Sequence, residues 1–341
     1  PPRSTPKPSS AASDVYKRQV PFFLPFIDKS DISKIKNAAL STYLTNGPRL
    51  ETFEKQFQKF TNCKYAIGVS NATSALHLSL KSLKIGKGDE VIVPNITFVA
   101  TANSVLYTGA TPVLADVNND DINISVKSIE ENITSKTKWL MLNSPSNPTG
   151  AIYSKDELKE LSKVLLKHPN VFILSDDIYE KIIYDGLEFS TLASVEPSLK
   201  NRCLTLNGVS KSYCMTGWRL GYCGSSKEII SAMNKIQSQS TTSTSSISMA
   251  ASVEALSGTQ DFIKNHNDSF VKRRDMVVEK LNKIEGISCL VPQGAFYVYP
   301  NCSGIIGKVT PKGETDPTPC LLYTSDAADE GLGVDLGGRR I

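Results

Sequence analysis

Several polar residues stand where an α/β chain would place a binding site. Asp176 ends the apolar run VFILSD, Asn147 follows KWLMLNSPS, Lys211 follows LTLNGVS, and Ser70 and Thr73 follow the short run YAIGVS. Open α/β sheets bind ligands outside the carboxyl ends of their strands, so these residues would converge on one edge. A carboxylate, an amide, an amine and a small-residue turn opening a helix are what a phosphorylated pyridine aldehyde requires. The helix turn takes the phosphate, the carboxylate takes a ring N–H, and the lysine forms a Schiff base with the aldehyde. Plainer roles stand beside this one. Lys211 can be a solvated surface lysine, Asp176 a helix cap, and Asn147 a residue of the Asn-Pro-Thr-Gly turn. Spacing alone does not choose between them.

The elements that must carry these residues alternate along the chain. FEKQFQKFTN and NATSALHLSLKSL have helical periodicity, DEVIVPN is strand-like, TFVATANSVLYTG is a helix ended by Gly109, and TPVLADV is a strand. SVKSIEENI is helical and KWLMLN a strand. SKDELKELSKVLLKH is a helix opened by Ser154, with Glu157 three residues on in a capping-box pattern. VFILSDD and RCLTLNG are further strands. Continuous apolar runs suit a parallel sheet buried on both faces, so the pattern predicts a doubly wound α/β domain. SQSTTSTSSIS has the composition of a flexible linker, while its helical flanks fit an ordered connection equally well. A long helical run then reaches about Gly286, and ISCLVPQGAFYVYP reads as strands of a second layer.

Composition excludes several function classes. The 341 residues are 40% hydrophobic and 21% charged, with a net charge of +4 and no basic stripe, which argues against nucleic acid as a partner. Seven cysteines with no C-x-x-C pair fit a reducing, cytoplasmic location. The run VPFFLPFI is short and broken by Pro25, too little for a membrane span, and it lacks a small-residue cleavage site. His77, His168 and His266 show no paired spacing, so no metal centre is expected.

GVSKSYCMTGWRLG, residues 208–221, resembles the lysine signature of the class I pyridoxal-phosphate aminotransferases, the aspartate aminotransferase family; Cys214 is its one unusual residue. NSPSNPTG and SDDIYE resemble that family's other two markers, in its order, and the likeness runs from about Trp139 to Gly313. The resemblance implies the α/β/α fold of fold-type-I pyridoxal-phosphate transferases, with a mostly parallel sheet and an incomplete small C-terminal α+β domain. It implies that Lys211 binds pyridoxal 5′-phosphate and shifts the proton, and that Asp176 pairs with the ring nitrogen. Tyr179 and Asn147 would hydrogen-bond the phenolic oxygen, Arg219 would clamp the phosphate, and Ser210 would join the cofactor-binding set. An amino acid and a 2-oxo acid are the implied substrates, with ping-pong kinetics and a homodimer.

Upstream, residues 24 to about 137 resemble a different group of the same superfamily, the DegT/DnrJ/EryC1/StrS sugar aminotransferases. YLTNGPRLETFEKQF and SNATSALHLSLKSLKIGKGDEVIVPNITFVATANSVLYTGATPVLADV carry that likeness. It places Ala72 and Thr73 in the phosphate turn and Phe98 against the cofactor ring. The two likenesses meet near ITSKTK, which reads as an artificial join. The termini point the same way: SSAASDVYKRQ (residues 9–19) and CLLYTSDAADE (residues 320–330) can be encoded by complementary strands of one DNA, which resembles a sequencing adapter. Residues 1–19 and 320–341 are therefore read as adapter-like, which takes the Gly-Leu-Gly-Val-Asp-Leu-Gly-Gly run of the tail out of consideration as a phosphate loop. The body divides into 20–137 and 138–265, two parts of a large domain, and 266–319, a truncated small domain.

The leading expectation is a transaminase acting on an amino acid such as aspartate. A nucleotide-sugar aminotransferase is the alternative, and an inactive chimera the third reading. Class I enzymes use a late arginine for the substrate α-carboxylate, and no residue of this chain inherits that role, so turnover is expected to be weak.

Overall fold

Seven strands form one sheet in the order β1-β7-β6-β5-β4-β2-β3 in a computed structural model of the chain, which describes residues 29–309. In chain order, α1 (Lys29–Ala39) and α2 (Pro48–Thr61) lead to β1 (Tyr65–Val69), α3 (Ala72–Ser82), β2 (Glu90–Pro94), α4 (Ala100–Leu106) and β3 (Thr111–Ala115). Then come α5 (Val126–Asn132), β4 (Thr137–Asn143), α6 (Lys155–Lys167), β5 (Phe172–Asp176), the short α7 (Leu192–Val195), β6 (Cys203–Gly208) and β7 (Gly221–Ser225). The last elements are α8 (Lys227–Ser238), α9 (Ser246–Ser257), α10 (Asp261–Asn282) and the two-residue strands β8 (Ser288–Cys289) and β9 (Pro300–Asn301). The adapter-like ends lie outside the described residues.

The sheet is parallel except for β7, which pairs antiparallel with both β1 and β6. β4 shows why its sequence forms a central strand. Trp139 and Met141 face one core with Leu76 and Leu80 of α3 and Met233 of α8, while Leu140 and Leu142 face another with Ile129 of α5 and Leu158 and Leu161 of α6. Successive side chains of a strand point to opposite faces, so burying four in a row requires helices on both sides. The result is the expected α/β/α layering.

Local rules account for the helix starts. Ser154 accepts the Glu157 amide at 3.2 Å while the Glu157 carboxylate accepts the Ser154 amide at 2.7 Å, the capping box expected for α6. Pro48 opens α2, whose Phe53 and Phe57, one turn apart, are fully buried with Tyr222 of β7 and Met249 of α9.

Three segments differ from their sequence reading. GYCGS forms β7, although two glycines in five residues give it no strand pattern. Most of SQSTTSTSSIS is an ordered turn and the start of α9, with Thr244, Ser246 and Ser248 buried, and Gly258 breaks the long helical run. The ISCLVPQGAFYVYP stretch holds only β8, the first residue of β9 and an isolated bridge from Gly294 to Ile183; its Phe296 and Tyr297 pack against Tyr179, just beyond the end of β5. No helix among the described residues is long and apolar enough to cross a membrane.

Candidate active site

β1, β6, β5 and β4 run in the same direction, so their carboxyl ends share one edge, and β7 begins there because it runs back. That topology gathers the polar residues found by spacing. Asp176 is the last residue of β5, in register with Leu206 of β6, and Lys211 lies five residues beyond Leu206. At the end of β4, Asn143 donates from Nδ2 to the Asp176 carbonyl at 2.9 Å, and its Oδ1 accepts the Asn147 amide at 2.8 Å. Asn143 thus ties the Asn147 turn to the Asp176 strand.

The Asn147 side chain is not spent on its turn. Its Nδ2 donates to the Tyr297 hydroxyl at 3.2 Å, and Tyr297 meets the Tyr179 hydroxyl at 2.6 Å. The Tyr179 ring stands edge-on to those of Phe296 and Tyr297, at 5.5 and 5.7 Å between centroids. Lys211 Nζ lies 5.8 Å from the Tyr179 ring centroid and 5.5 Å from that of Phe296. The site is therefore an amine and a carboxylate beside an aromatic wall carrying two hydroxyls and an amide.

The wall is held by backbone bonds distant in sequence. Gln293 and Gly294 both donate to the Gly150 carbonyl, at 3.0 and 2.9 Å, and Ala295 donates to Ile182 at 2.9 Å. The Tyr184 hydroxyl donates to the Ala295 carbonyl. Arg274 of α10, with a side chain only 8% exposed, donates to both Asp185 oxygens and to the Pro292 carbonyl. Gly150 must stay glycine, since its φ of +70° is left-handed and a Cβ would lie 2.6 Å from the Gly294 carbonyl.

At the other end, Asn71 caps α3 by accepting the Ser74 amide at 2.8 Å, with Ala72 and Thr73 as the first two helical residues. The amides of these two have no partner within the helix. Gly221 packs against this turn so closely that a Cβ would lie 2.7 Å from the Ala72 nitrogen. Arg219, in left-handed backbone two residues earlier, is exposed and donates to the Thr216 carbonyl at 3.0 Å. Ser210 is half-buried beside Lys211. Phe98 follows β2, 50% exposed, and among the described residues no ring pair or side-chain hydrogen bond joins it to the others.

Electrostatics mark Asp176 and Lys211 as poised. Burial pushes the Asp176 carboxyl from 3.8 up to about 7, with the Ile178 amide and the Lys211 charge only partly opposing it. Burial also lowers Lys211, helped by the Arg219 guanidinium and opposed by Asp176. The Tyr179 phenol is raised by burial and by its bond to Tyr297. Neighbouring Asp177, fully buried and bonded to the Ser175 hydroxyl at 2.6 Å, is raised as well, by burial and by Glu180 and Asp176. Perturbed groups of both signs gathered at one sheet edge are the pattern of a functional site.

The family sequence model for aminotransferase class I and II matches residues 34–312, most of the chain. The chain belongs to the class I and II aminotransferases. This aminotransferase is 45% identical over 294 residues to the aspartate aminotransferase of Rhizobium meliloti (strain 1021), covering 84% of this chain and 72% of the relative. The crystal structure of the aspartate aminotransferase from Rhizobium meliloti superposes with a TM-score of 0.82 at 41% identity, over 88% of this chain and 78% of the other. A Thermus thermophilus aspartate aminotransferase solved with maleate gives 0.73 at 30% identity, over 81% and 75%. The match is continuous through Thr137, and it favours the amino-acid reading over the nucleotide-sugar alternative.

Sequence reasoning missed Asn143, Asn71, Phe296 and Tyr297 as site residues. Asn143 and Asn71 were visible as a strand end and a helix start. Phe296 and Tyr297 reach the site only through the pairing of residues 293–295 with Gly150 and Ile182, which no local pattern announces.

Proposed function

We propose that this aminotransferase holds pyridoxal 5′-phosphate at the sheet's carboxyl edge and moves an amino group from an amino acid such as aspartate to a 2-oxo acid. The observation that carries this reading is the convergence of Asp176, Lys211 and the first turn of α3, which follows β1, on the carboxyl edge of one sheet. The residues fit the group. Gly221 lets β7 pack against the first turn of α3 with no side chain between them, and the Ala72 and Thr73 amides, without partners in the helix, are the donors that would take a phosphate, with Ser210 and Arg219 on the same edge. The relatives' names and the four-carbon dicarboxylate in the Thermus structure support aspartate as donor.

When bound, the cofactor supplies an electron sink for the carbon that loses its proton. The buried Asp176 carboxylate would pair with the ring nitrogen and keep it protonated, and that positive charge would offset the cost of burying the carboxylate. Lys211, its amine kept neutral more readily by burial, acts as nucleophile and then as the base that carries the proton. Tyr179 and Asn147 would donate to the phenolic oxygen, and Phe98 would need to close onto the ring from its exposed position. Protein treated with pyridoxal 5′-phosphate and then borohydride is expected to carry a covalent adduct on the Lys211 peptide. An adduct elsewhere, or none, would overturn the assignment.

The finer readings belong here too. We take the assembly as a homodimer in a reducing cytoplasm. The exposed Val99, Leu106 and Tyr107 beside Phe98 leave an apolar face for a second copy, and the six described cysteines are free thiols. Light scattering at the mass of a single chain would refute the dimer. We take residues 20–137 and 138–265 as two parts of the large domain and 266–319 as the small one. We also infer an artificial join near residue 137, carried by the sugar-aminotransferase likeness upstream and the adapter-like ends. Native source DNA contiguous across codons 130 to 145 would refute it.

A further inference from the structure

Asn143 is 5% exposed at the end of β4, in register with Asp176 of β5, and its side chain is bonded at both ends of the amide. Nδ2 donates to the Asp176 carbonyl at 2.9 Å, and Oδ1 accepts the Asn147 amide at 2.8 Å. That pair of bonds needs a donor and an acceptor on one short planar group. An asparagine amide supplies both, whereas a carboxylate only accepts. Each partner is also held from elsewhere. The Asp176 carbonyl accepts the Ser144 amide at 3.2 Å, and the next residue, Asp177, donates its amide to Leu206 of β6 at 2.9 Å. The turn around Asn147 closes on itself, with Ser146 donating to Ala151 at 2.9 Å and Gly150 to Ser146 at 2.8 Å. Its Gly150 carbonyl in turn carries the Gln293 and Gly294 amides of the aromatic wall.

We propose that Asn143 is a positioning residue: it sets the Asn147 turn, and the wall bonded to that turn, against the strand end that carries Asp176. The inference rests on the cofactor reading above, in which Asp176 and Asn147 are separate partners of one ligand. Two groups that grip one rigid molecule must keep a fixed separation, and the Asn143 amide spans the two segments that carry them. Without it the Asn147 N–H loses its acceptor and the Asp176 carbonyl one of its two donors, so the turn and the strand end settle independently.

The test is a double-variant cycle on the affinity for pyridoxal 5′-phosphate, measured by absorbance titration of cofactor-free protein. Asn143→Ala is expected to weaken binding by about ten- to thirtyfold, for two hydrogen bonds lost at a buried position. Asn147→Ala keeps the backbone amide but deletes the side chain being positioned, and is expected to weaken binding by about five- to tenfold. Because the first acts in part through the second, the double variant is expected to lose no more than about twofold beyond Asn143→Ala alone. A residue that merely stabilises the fold would give losses that multiply in full. Full multiplication, or an Asn143→Ala affinity equal to wild type, would overturn the proposal. Should Asn143→Ala fold poorly, Asn143→Asp keeps the volume and the acceptor but cannot donate to Asp176 when ionised, and unchanged affinity of that variant at pH 8 would equally overturn it. Wild type that takes up no cofactor would instead defeat the cofactor reading. Hydrogen exchange on the cofactor-free proteins still decides for the tether in that event. The Asn147 amide is expected to exchange about tenfold faster in Asn143→Ala, with Leu140 to Leu142 protected as in wild type. Unchanged exchange at Asn147 would overturn it.

Discussion

Replacing Asp176 by asparagine should stabilise the cofactor-free protein while damaging the holoenzyme, and the pH dependence of that gain is calculable. Burial raises the carboxyl from 3.8 to about 7, so the folded state holds its proton more tightly than the unfolded chain. A raised acid leaves stability untouched below the unfolded pKa and removes it progressively as pH climbs toward the folded pKa. At about 1.4 kcal/mol per unit, ionising Asp176 costs the fold roughly 1.5 kcal/mol at pH 5 and roughly 4 kcal/mol at pH 8. Asparagine keeps the shape and can still accept the Ile178 amide, which lies 3.4 Å from Oδ1, but it carries no charge at any pH. The variant's advantage should therefore widen by about 2.5 kcal/mol between pH 5 and pH 8. Comparing the two proteins at each pH cancels Glu180, whose raised value does not depend on Asp176, while Asp177, raised in part by the Asp176 charge, widens the gap in the same direction. Urea unfolding of both cofactor-free proteins at four pH values measures the gap. Adding pyridoxal 5′-phosphate should reverse its sign, because only the carboxylate pairs with a ring cation. A gap that stays flat with pH, or a variant less stable at pH 8, would show that Asp176 is not held against its charge and would remove the physical basis for its role.

Two further changes probe the supports of the site. Gly221→Ala would set a methyl 2.7 Å from backbone atoms of Asn71 and Ala72. It is expected to destabilise the fold by about 1–3 kcal/mol and to abolish cofactor retention, read by denaturant unfolding and by absorbance after gel filtration. Asp185→Ala strips a bidentate partner from the buried Arg274. Because Asp185 is half exposed, a loss of about 1–2 kcal/mol is expected. Hydrogen exchange should quicken at residues 293–297 while β4 and β5 keep their protection; uniform quickening would disprove the local brace.

The parts of this molecule that were legible in sequence are those set by neighbours along the chain. β4 could be read because four consecutive apolar residues admit one environment, a sheet covered on both faces, and α6 because Ser154 and Glu157 cap each other across three positions. Asp176, Asn147 and Lys211 were found by a rule about strand ends that holds wherever such a sheet forms. β7 was not legible, because Gly221 and Gly224 are there for what they lie against, the start of α3 on one side and Cys63 and Phe57 on the other. Tyr297 was not legible for a deeper reason. Its partners Tyr179 and Asn147 lie 118 and 150 residues away, and its segment reads as strand until Gly150 and Ile182 take up its backbone bonds. Phe98 shows the converse error risk. A likeness assigns it to the cofactor, yet the structure leaves its ring half exposed, so its role depends on a ligand or a second chain to close over it. Residues that build the edge are thus written locally, whereas those that close it are written in contacts between distant segments. It is the second group, Tyr297 above all, whose substitution should loosen the aromatic wall while leaving Asp176 and Lys211 in place.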